Sequence, residues 1–149
     1  MSRRPDSPQW LAAKAVGDTA ELAVAEWFAA RGYLVAKTLG LAAYDLLLQC
    51  HVEVKHDLKA EQSGRVAIEI RHNGQPSGLL TTQATWWAIV VGREAFLLKA
   101  DVLRRFVLSS QYPSCFGGDG KASELVLVPL AQIRSLAGQG VVRLPEVPR

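Results

Sequence analysis

The segment that decides the fold is Y-D-L-L-L-Q-C-H-V-E-V-K-H-D, which runs from Tyr44 to Asp57. On both sides of Gln49, residues alternate with the period of two that is typical of strands. This pattern predicts a β-hairpin that turns near Gln49. One face of the hairpin is then expected to be apolar and to carry Leu46, Leu48, Val52 and Val54.

The opposite face of this predicted hairpin carries Asp45, Glu53 and Lys55. If the hairpin is symmetric about Gln49, Asp45 lies directly across from Glu53, at the distance of a cross-strand pair. Two carboxylates and an amine would then share one patch of an apolar hairpin. Because an unpaired buried charge is costly, such a patch is typical of a site for a metal ion or a charged substrate.

Composition indicates an ordinary globular protein. The 149 residues are 49% hydrophobic and 21% charged, which predicts one domain, 1–149, with a core over about 8–108 and a C-terminal strand–helix extension over 109–149. The net charge of +3 permits a polyanionic partner without requiring one. We see no signal-peptide core and no apolar run of about 20 residues, and Cys50 and Cys115 match no zinc or redox spacing. We therefore expect free thiols and a cytoplasmic location.

The other segments alternate between helical and strand patterns. Upstream, we expect a helix from a Ser7 cap to Arg31 (with a break at Gly17 as one alternative), stopped by Gly32, and then a strand over Tyr33–Thr38. After the hairpin, we expect a mobile loop over His56–Gly64, a strand over Arg65–Arg71 and a turn over His72–Gly78. A short helix from Thr81 or Thr82, carrying Trp86 and Trp87, should then lead into a buried strand over Ala88–Val91 and a strand over Glu94–Leu98. The last expected elements are a helix capped by Asp101, a loop over Ser109–Ser123, a strand over Leu125–Val128, a helix opened by Pro129, and a tail over Val141–Arg149. This order predicts an α/β fold with a central mixed sheet flanked by helices.

Asp45 followed by Glu53-Val54-Lys55, downstream of a helix that carries Glu21, resembles the PD-(D/E)XK nuclease superfamily. The layout is most similar to the archaeal-type Holliday junction resolvases that phages also encode, and the similarity covers about 17–91. It implies a restriction-endonuclease-like core in which Glu21 matches the helix acid. Asp45 matches the strand aspartate, and Glu53 and Lys55 match the two ends of the E-X-K signature.

The chain departs from the family pattern in two places. Tyr44 stands where the motif has proline, and the segment after Lys55 lacks the later proline-containing stretch of the archaeal enzymes. The run G-L-L-T-T-Q-A-T-W-W over 78–87 looks closer to the phage relatives. An E-X-K tripeptide by itself occurs by chance in many strands. Only its combination with Asp45, the apolar frame and the helix acid is informative.

The chemistry that the resemblance implies is metal-dependent hydrolysis of DNA. Asp45, Glu53 and the backbone carbonyl of Val54 offer hard oxygen ligands for Mg²⁺, with Mn²⁺ as a substitute. Lys55 would hold or deprotonate the attacking water, and Glu21 would join through a water or a second metal. Four-way junctions or other branched DNA are the implied substrate. A homodimer is expected because resolution needs two symmetric nicks.

Several residues have two interpretations. Glu69 either borders the metal site or forms a surface ion pair with Arg65 or Arg71. Thr81 and Thr82 either offer a helix N-terminus to a phosphate, as a DNA contact, or cap an ordinary helix. Basic side chains either form a diffuse phosphate-binding surface, to which Arg71 would belong, or are scattered surface charge; they are Lys14, Lys37, Lys59, Arg65 and Arg71.

Two alternatives to the resolvase function remain open. One is another nuclease of the same superfamily that acts in restriction, repair or DNA-end processing. The other is a DNA-binding protein whose nuclease site is vestigial.

Overall fold

The computed structural model describes residues 8–31, 33–37, 45–47 and 50–146. The predicted Ser7 cap, the Gly32 stop, Tyr44 and the hairpin turn at Gln49 lie outside the described residues, as does Leu48. The α-helices in the described part of the chain include the 22-residue Pro8–Ala29. None of them combines the length and the apolar character that a membrane span requires.

The described residues form four α-helices and ten strands. The helices are α1 (Pro8–Ala29), α2 (Ala60–Ser63), α3 (Ala100–Ser109) and α4 (Leu130–Ala137). The strands are β1 (Ala36–Lys37), β2 (Leu46–Leu47), β3 (His51–His56), β4 (Arg65–His72), β5 (Gln75–Pro76), β6 (Trp86–Val91), β7 (Glu94–Lys99), β8 (Ser114–Gly117), β9 (Ser123–Pro129) and β10 (Val141–Arg143).

A mixed six-stranded sheet forms the centre, in the order β1–β2–β3–β6–β7–β10. Neighbouring strands are antiparallel except β3 and β6, which run parallel with Glu53 beside Trp87 and Lys55 beside Ile89. The predicted α/β class with a central mixed sheet flanked by helices is confirmed. The predicted buried strand over 88–91 is also confirmed, because β6 is buried on both faces.

Helix α1 covers one face of the central sheet. Its Ala20, Val24 and Phe28 are buried in one cluster with Val52 of β3 and Val90 of β6. Small alanines on the inner side of the helix let it lie close to the sheet, and Phe28 fills the remaining space. The helix continues through Gly17, so the alternative with a break there is wrong.

A second, antiparallel sheet covers the other face, in the order β5–β4–β9–β8. The alternation predicted for β4 is present, since Val66, Ile68 and Ile70 are buried against Trp87 and Ile89 of the central sheet. Helices α3 and α4 complete this layer. The strand β4 therefore belongs to a sheet of its own, which the expectation of one mixed sheet did not include.

Two local predictions after the hairpin are wrong. Trp86 and Trp87 begin the strand β6 and follow a 3₁₀ turn at Gly78–Leu80, because aromatic and β-branched residues suit a strand held between β3 and β7. The segment after His56 is not a mobile loop. The Asp57 carboxylate accepts the backbone N–H groups of Lys59 and Ala60 at 2.9 and 3.0 Å, which starts α2.

Near the C-terminus, segments predicted to be irregular take up strand pairing. The predicted loop over 109–123 contains β8, which pairs with β9, and the predicted tail begins with β10, which pairs with β7. Edge strands this short have too little periodicity to be read from sequence. The strand predicted over Tyr33–Thr38 is only Ala36–Lys37 in the described residues.

The predicted cap of α3 is displaced, whereas the predicted start of α4 is confirmed. Asp101 lies in the first turn of α3 and pairs with Arg105 at 3.1 Å, whereas Lys99 occupies the N-cap position. The helix opened by Pro129 is confirmed as α4, with Pro129 at its N-cap and Gly138 after its last turn.

Two leucines of α3 test the packing between the helix and the two sheets. Leu103 is fully buried, whereas Leu108 on the same helix is 61% exposed. We expect Leu103→Ala to lower the free energy of unfolding by about 2–5 kcal/mol because it removes buried methyl groups and leaves a cavity. Leu108→Ala is expected to change it by less than about 0.5 kcal/mol. Urea denaturation of both variants measures this difference, and equal losses would contradict the described packing.

Candidate active site

The alternation of β3 separates an apolar face from a charged one. Val52 is fully buried and Val54 packs against the same α1-side cluster. Glu53 and Lys55 therefore point to the opposite side, where their β6 neighbours Trp87 and Ile89 belong to the other core cluster. The predicted division of this hairpin into two faces is present in the structure.

Asp45 joins Glu53 from the neighbouring strand. The pairs Leu46–Val52 and Leu47–His51 set the register of the two strands, and Asp45 directly precedes the first pair. The Asp45 N–H donates to the Val52 carbonyl at 3.1 Å, and the Val54 N–H donates to Asp45 Oδ2 at 2.7 Å. Because the N–H and C=O of one strand residue point to the same side, the Val54 carbonyl faces the same edge of β3 as its N–H. Asp45 thus lies beside the strand that carries Glu53 and Val54, and their joint role as metal ligands stays a prediction.

Lys55 lies at the edge of this group. Its Nζ forms an ion pair with Glu53 Oε1, and it stands 5.9 Å from the centre of the Trp87 ring. The Lys55 side chain is half exposed, whereas that of Glu53 is 18% exposed. The amine therefore stays in contact with solvent while its partner carboxylate is largely covered.

Burial raises the pKa of Asp45. The Val54 N–H, Lys55 and Lys37 lower this pKa, and the charge of Glu53 raises it further, but burial is the largest influence and the net direction is upward. The charged form of Asp45 is therefore unfavourable in the folded protein. A cation held by Asp45 and Glu53 would remove this penalty.

The donor set fits a hard divalent cation that keeps several waters. Among the described residues, no three His, Cys, Asp or Glu side chains come together as a metal-binding group. Two carboxylates and a backbone carbonyl nonetheless meet the usual requirement of Mg²⁺, which is commonly bound through one or two carboxylates plus waters and substrate phosphate oxygens. A zinc-type site would need more nitrogen or sulfur ligands.

Glu21 occupies a different position from the other predicted site residues. It lies on α1, on the side of the sheet that holds Val52, and its Oε2 pairs with Lys37 Nζ at 2.8 Å. Lys37 also pairs with Asp18 at 3.1 Å, and the bond to Glu21 raises the pKa of Lys37 despite partial desolvation. Lys37 links Glu21 electrostatically to Asp45, whose pKa it lowers. A catalytic role for Glu21 stays a prediction.

Glu69 approaches the site from the second sheet. With Glu53 and Lys55 it lines an open cleft of about 320 Å³, whose other walls are Ser77, Gly78, Thr81, Thr82, Gln83 and Trp87. Of the two predicted ion-pair partners, Arg65 and Arg71, the second pairs instead with Glu124 at 3.1 Å. Glu69 lines the cleft, and a position beside a metal ion stays a prediction.

The two threonines of this cleft have mainly local contacts. Thr81 ends the 3₁₀ turn at Gly78–Leu80, and residues 81–85, all of them described, are irregular, so the predicted helix N-terminus for a phosphate is wrong. Thr82 Oγ1 accepts the Trp87 indole N–H at 3.3 Å and the Ala84 N–H at 3.2 Å. Thr82 thereby fixes the ring over which Lys55 stands.

Sequence reasoning missed Ser77 and Ser123. The Ser77 hydroxyl donates to Glu69 Oε1 and the Ser123 hydroxyl donates to Glu69 Oε2, each at 2.7 Å. Ser77 lies in the predicted turn over His72–Gly78, which directly follows the strand that carries Glu69. A contact between the two could therefore have been predicted from their closeness in the sequence. Ser123 is separated from Glu69 by 54 residues, and no local pattern connects the two.

Comparisons with known proteins give little beyond this geometry. No protein-family model matches the chain, and no curated protein matches it. Among solved structures, the chain is similar to the bacterial homing endonuclease I-Ssp6803I, with a TM-score of 0.47, 23% sequence identity and 75% of each chain covered. That likeness is loose, so the interpretation of the site depends on the residues of this chain.

The raised pKa of Asp45 predicts a gain in stability when its charge is removed. Since the folded-state pKa lies above the unfolded one, the folded protein binds more protons between the two values, and stability falls as the pH rises from about 4. Asp45→Asn keeps an oxygen that can accept the Val54 N–H. We expect it to raise the free energy of unfolding by at most about 1 kcal/mol at pH 8, since solvent screens a half-buried carboxylate, and by much less at pH 4.

Urea denaturation at the two pH values measures this effect. Asp101→Asn is the matched control because Asp101 is an exposed residue on α3 whose only ion pair in the described structure is to Arg105. It should change stability by less than about 0.5 kcal/mol at either pH. A loss of stability in Asp45→Asn at pH 8 would show that the Asp45 charge is favourable in the fold.

Proposed function

We propose that this protein is a metal-dependent endodeoxyribonuclease that hydrolyses phosphodiester bonds. One observation carries the proposal. Asp45 accepts the backbone N–H of Val54, and the neighbouring Glu53 and Lys55 form an ion pair on the face of the central sheet that lines a cleft. Two half-buried carboxylates beside an amine are the groups that a hydrolytic metal site requires.

Each residue of the group has a defined role in this proposal. Asp45, Glu53 and the Val54 carbonyl would hold Mg²⁺, with Mn²⁺ as a substitute. The bound ion would supply charge neutralisation at the phosphate and a lowered pKa for a coordinated water. Lys55 donates a hydrogen bond to the attacking water from the solvent side of the cleft and holds it in line with the phosphorus.

DNA is the partner that the surface around the cleft suits. The net charge is +3, and a groove that adjoins the cleft is lined by Lys55 and Lys59, with Asp57 and Glu69 also in its walls. The two lysines can contact the phosphates on either side of a scissile bond. Phosphate contacts of this kind position a nucleic acid without reading its sequence.

Branched DNA, and four-way junctions in particular, is the proposed biological substrate. Support comes from the resemblance of the Asp45 and Glu53-Val54-Lys55 pattern to the junction resolvases. One chain carries one such group, whereas resolution needs two symmetric nicks. The proposal therefore includes a homodimer with two-fold symmetry.

Substitution of the three grouped side chains tests the chemistry. We expect Asp45→Asn, Glu53→Gln and Lys55→Ala each to lower the rate of Mg²⁺-dependent DNA cleavage by at least about 10²-fold and to leave DNA binding within about threefold. The matched controls Asp101→Asn, Glu124→Gln and Lys99→Ala should cleave like the wild-type protein. Cleavage is measured on gels and binding by fluorescence anisotropy in Ca²⁺.

Full cleavage by Asp45→Asn would remove this assignment of the site. If the wild-type protein binds DNA but neither cleaves it nor binds Mn²⁺ in calorimetric titration, the alternative with a vestigial site is favoured instead.

The choice of substrate separates a resolvase from other nucleases. We expect the wild-type protein to nick a four-way junction at least about tenfold faster than a linear duplex of the same sequence, because only the junction presents two strands to a symmetric pair of sites. Flap, nicked and linear duplexes serve as comparison substrates, and sedimentation measures the oligomeric state. Equal rates on all of them would favour a restriction, repair or end-processing nuclease.

A further inference from the structure

The groove that adjoins the cleft has a volume of about 420 Å³ and lies between the central sheet and the edge of β4. Trp87 and Ile89 of β6 form one side of it, and four successive residues of β4, Val66–Glu69, form the other. Leu58 also lines the groove and is 64% exposed, so it lies at the mouth. The groove therefore offers a largely apolar slot that opens to solvent beside the proposed catalytic group.

The wall formed by β4 is a strand edge whose backbone groups point into the groove. Strand β4 pairs with β9 along one edge, whereas β5 covers the other edge only near the end of β4. The N–H of Leu127, which lies opposite Ala67, donates to the Pro113 carbonyl on the far side of β9. Opposite residues of an antiparallel pair either bond to each other in both directions or not at all. Ala67, and Glu69 two residues on, therefore direct their backbone groups away from β9.

Two of the four backbone groups on this edge are already in contact with other parts of the chain. The Ala67 N–H donates to Asp57 Oδ2 at 2.8 Å. The Glu69 carbonyl oxygen lies against Gly78, where an added Cβ would overlap it. The Ala67 carbonyl and the Glu69 N–H lie between these two contacts, and neither meets a hydrogen-bonding partner in the part of the chain that the structure describes.

A carbonyl and an N–H two residues apart on an extended strand form an acceptor–donor pair. The pair matches the edge of a nucleobase, which carries a donor next to an acceptor, as the amino group and N1 of adenine do. The apolar sides of the groove suit the flat faces of such a ring. A peptide strand could also bond to these two groups, but it needs a longer free edge than the gap between Asp57 and Gly78.

The charges at the groove suit the phosphate of the same nucleotide. The Asp57 carboxylate accepts three backbone N–H groups and the Glu69 carboxylate accepts two hydroxyl hydrogens, so the protein already satisfies both acids. Lys59 is exposed, and its ammonium group forms no ion pair with any described residue. A base in the groove would therefore place its phosphate beside an uncommitted cation.

We propose that this groove is a subsite for one unpaired base of the DNA substrate, which bonds to the Ala67 carbonyl and the Glu69 N–H and packs against Trp87. The inference rests on the proposed nuclease function and deepens it, because it names the substrate class: DNA with an unpaired nucleotide next to the bond that is cut. A branch point or a bulge supplies such a nucleotide at low cost, whereas a continuous duplex must first be unpaired and unstacked.

Fluorescence anisotropy of labelled DNA in Ca²⁺ tests the subsite in the full-length protein without requiring cleavage. We expect a duplex with one bulged adenine to bind the wild-type protein about tenfold more tightly than the same duplex with an abasic residue at the bulge. Purine lacks the amino group of adenine, and 1-deazaadenine lacks N1. Each of these bases at the bulge should bind about fivefold more weakly than adenine, which corresponds to the loss of one hydrogen bond. Free AMP should bind more weakly than the bulged DNA.

Substitutions at the rim of the groove locate the bound base. Leu58→Ala removes an exposed leucine from the groove, and Leu108→Ala removes one of similar exposure, 61%, from α3. We expect Leu58→Ala to reduce the preference for adenine over the abasic residue by about threefold, and Leu108→Ala to leave it unchanged. Lys59→Ala should weaken the binding of both DNAs equally and reduce the salt dependence of the affinity by about one phosphate contact, whereas Lys99→Ala should change neither.

The outcomes separate the subsite from the function on which it rests. Equal affinity of the wild-type protein for the adenine and abasic bulges overturns the subsite, even where the protein cleaves DNA. A preference for adenine that both base analogues and Leu58→Ala leave undiminished also overturns it, because the base then binds elsewhere. Tighter binding of AMP than of the bulged DNA would assign the groove to a free nucleotide and overturns it as well. If the protein cleaves no DNA but keeps the predicted preference, the proposed function fails and the subsite stands.

Discussion

The site depends on the one-sided burial of β3, in which Val52 is buried and Lys55 is exposed. Val52 must pack against α1, and the parallel neighbour β6 is buried on both faces, so this strand has only one register in which its apolar residues are covered. A shift of one residue would place Glu53 and Lys55 under α1 and expose the valines. The pressure to bury two valines therefore fixes the direction of both charged side chains. Asp45 precedes β2, whose antiparallel pairing with β3 brings the Asp45 carboxylate to the backbone N–H of Val54.

The pKa values of the two carboxylates Asp45 and Glu69 are shifted in opposite directions. Asp45 receives a backbone N–H from Val54, and burial raises its pKa. Glu69 receives two hydroxyl hydrogens, which with nearby positive charge lower its pKa although burial opposes them. A bound cation would therefore stabilise the charged form of Asp45, whereas the protein itself already stabilises the charged form of Glu69. Burial is the largest single influence on both pKa values; it prevails at Asp45, whereas at Glu69 the hydroxyl groups and the nearby positive charges together outweigh it.

The central hairpin could be predicted from sequence because its information is local. The alternation across Gln49 identified the two faces of β3 and the register of Leu46 with Val52, and the apolar run in β6 identified a buried strand. The second sheet could not be predicted, because its pairing of β4 with β9 joins segments far apart in the chain. The helix predicted around Trp87 failed since pairing to β3 and β7 overrides the local preference. The serines that hold Glu69 are likewise brought together only by the tertiary fold.

The second sheet affects the order in which parts of the fold can form during synthesis. Its β4 emerges from the ribosome soon after the hairpin, but β9, with Ser123, is synthesised 54 residues after Glu69. Contacts of such sequence separation form late, because a long loop must close before they contribute. Glu69, a wall residue of the cleft, therefore gains its bond from Ser123 only after β9 has been synthesised. A nascent chain can display Lys55 and Glu53 well before that wall residue is held in place.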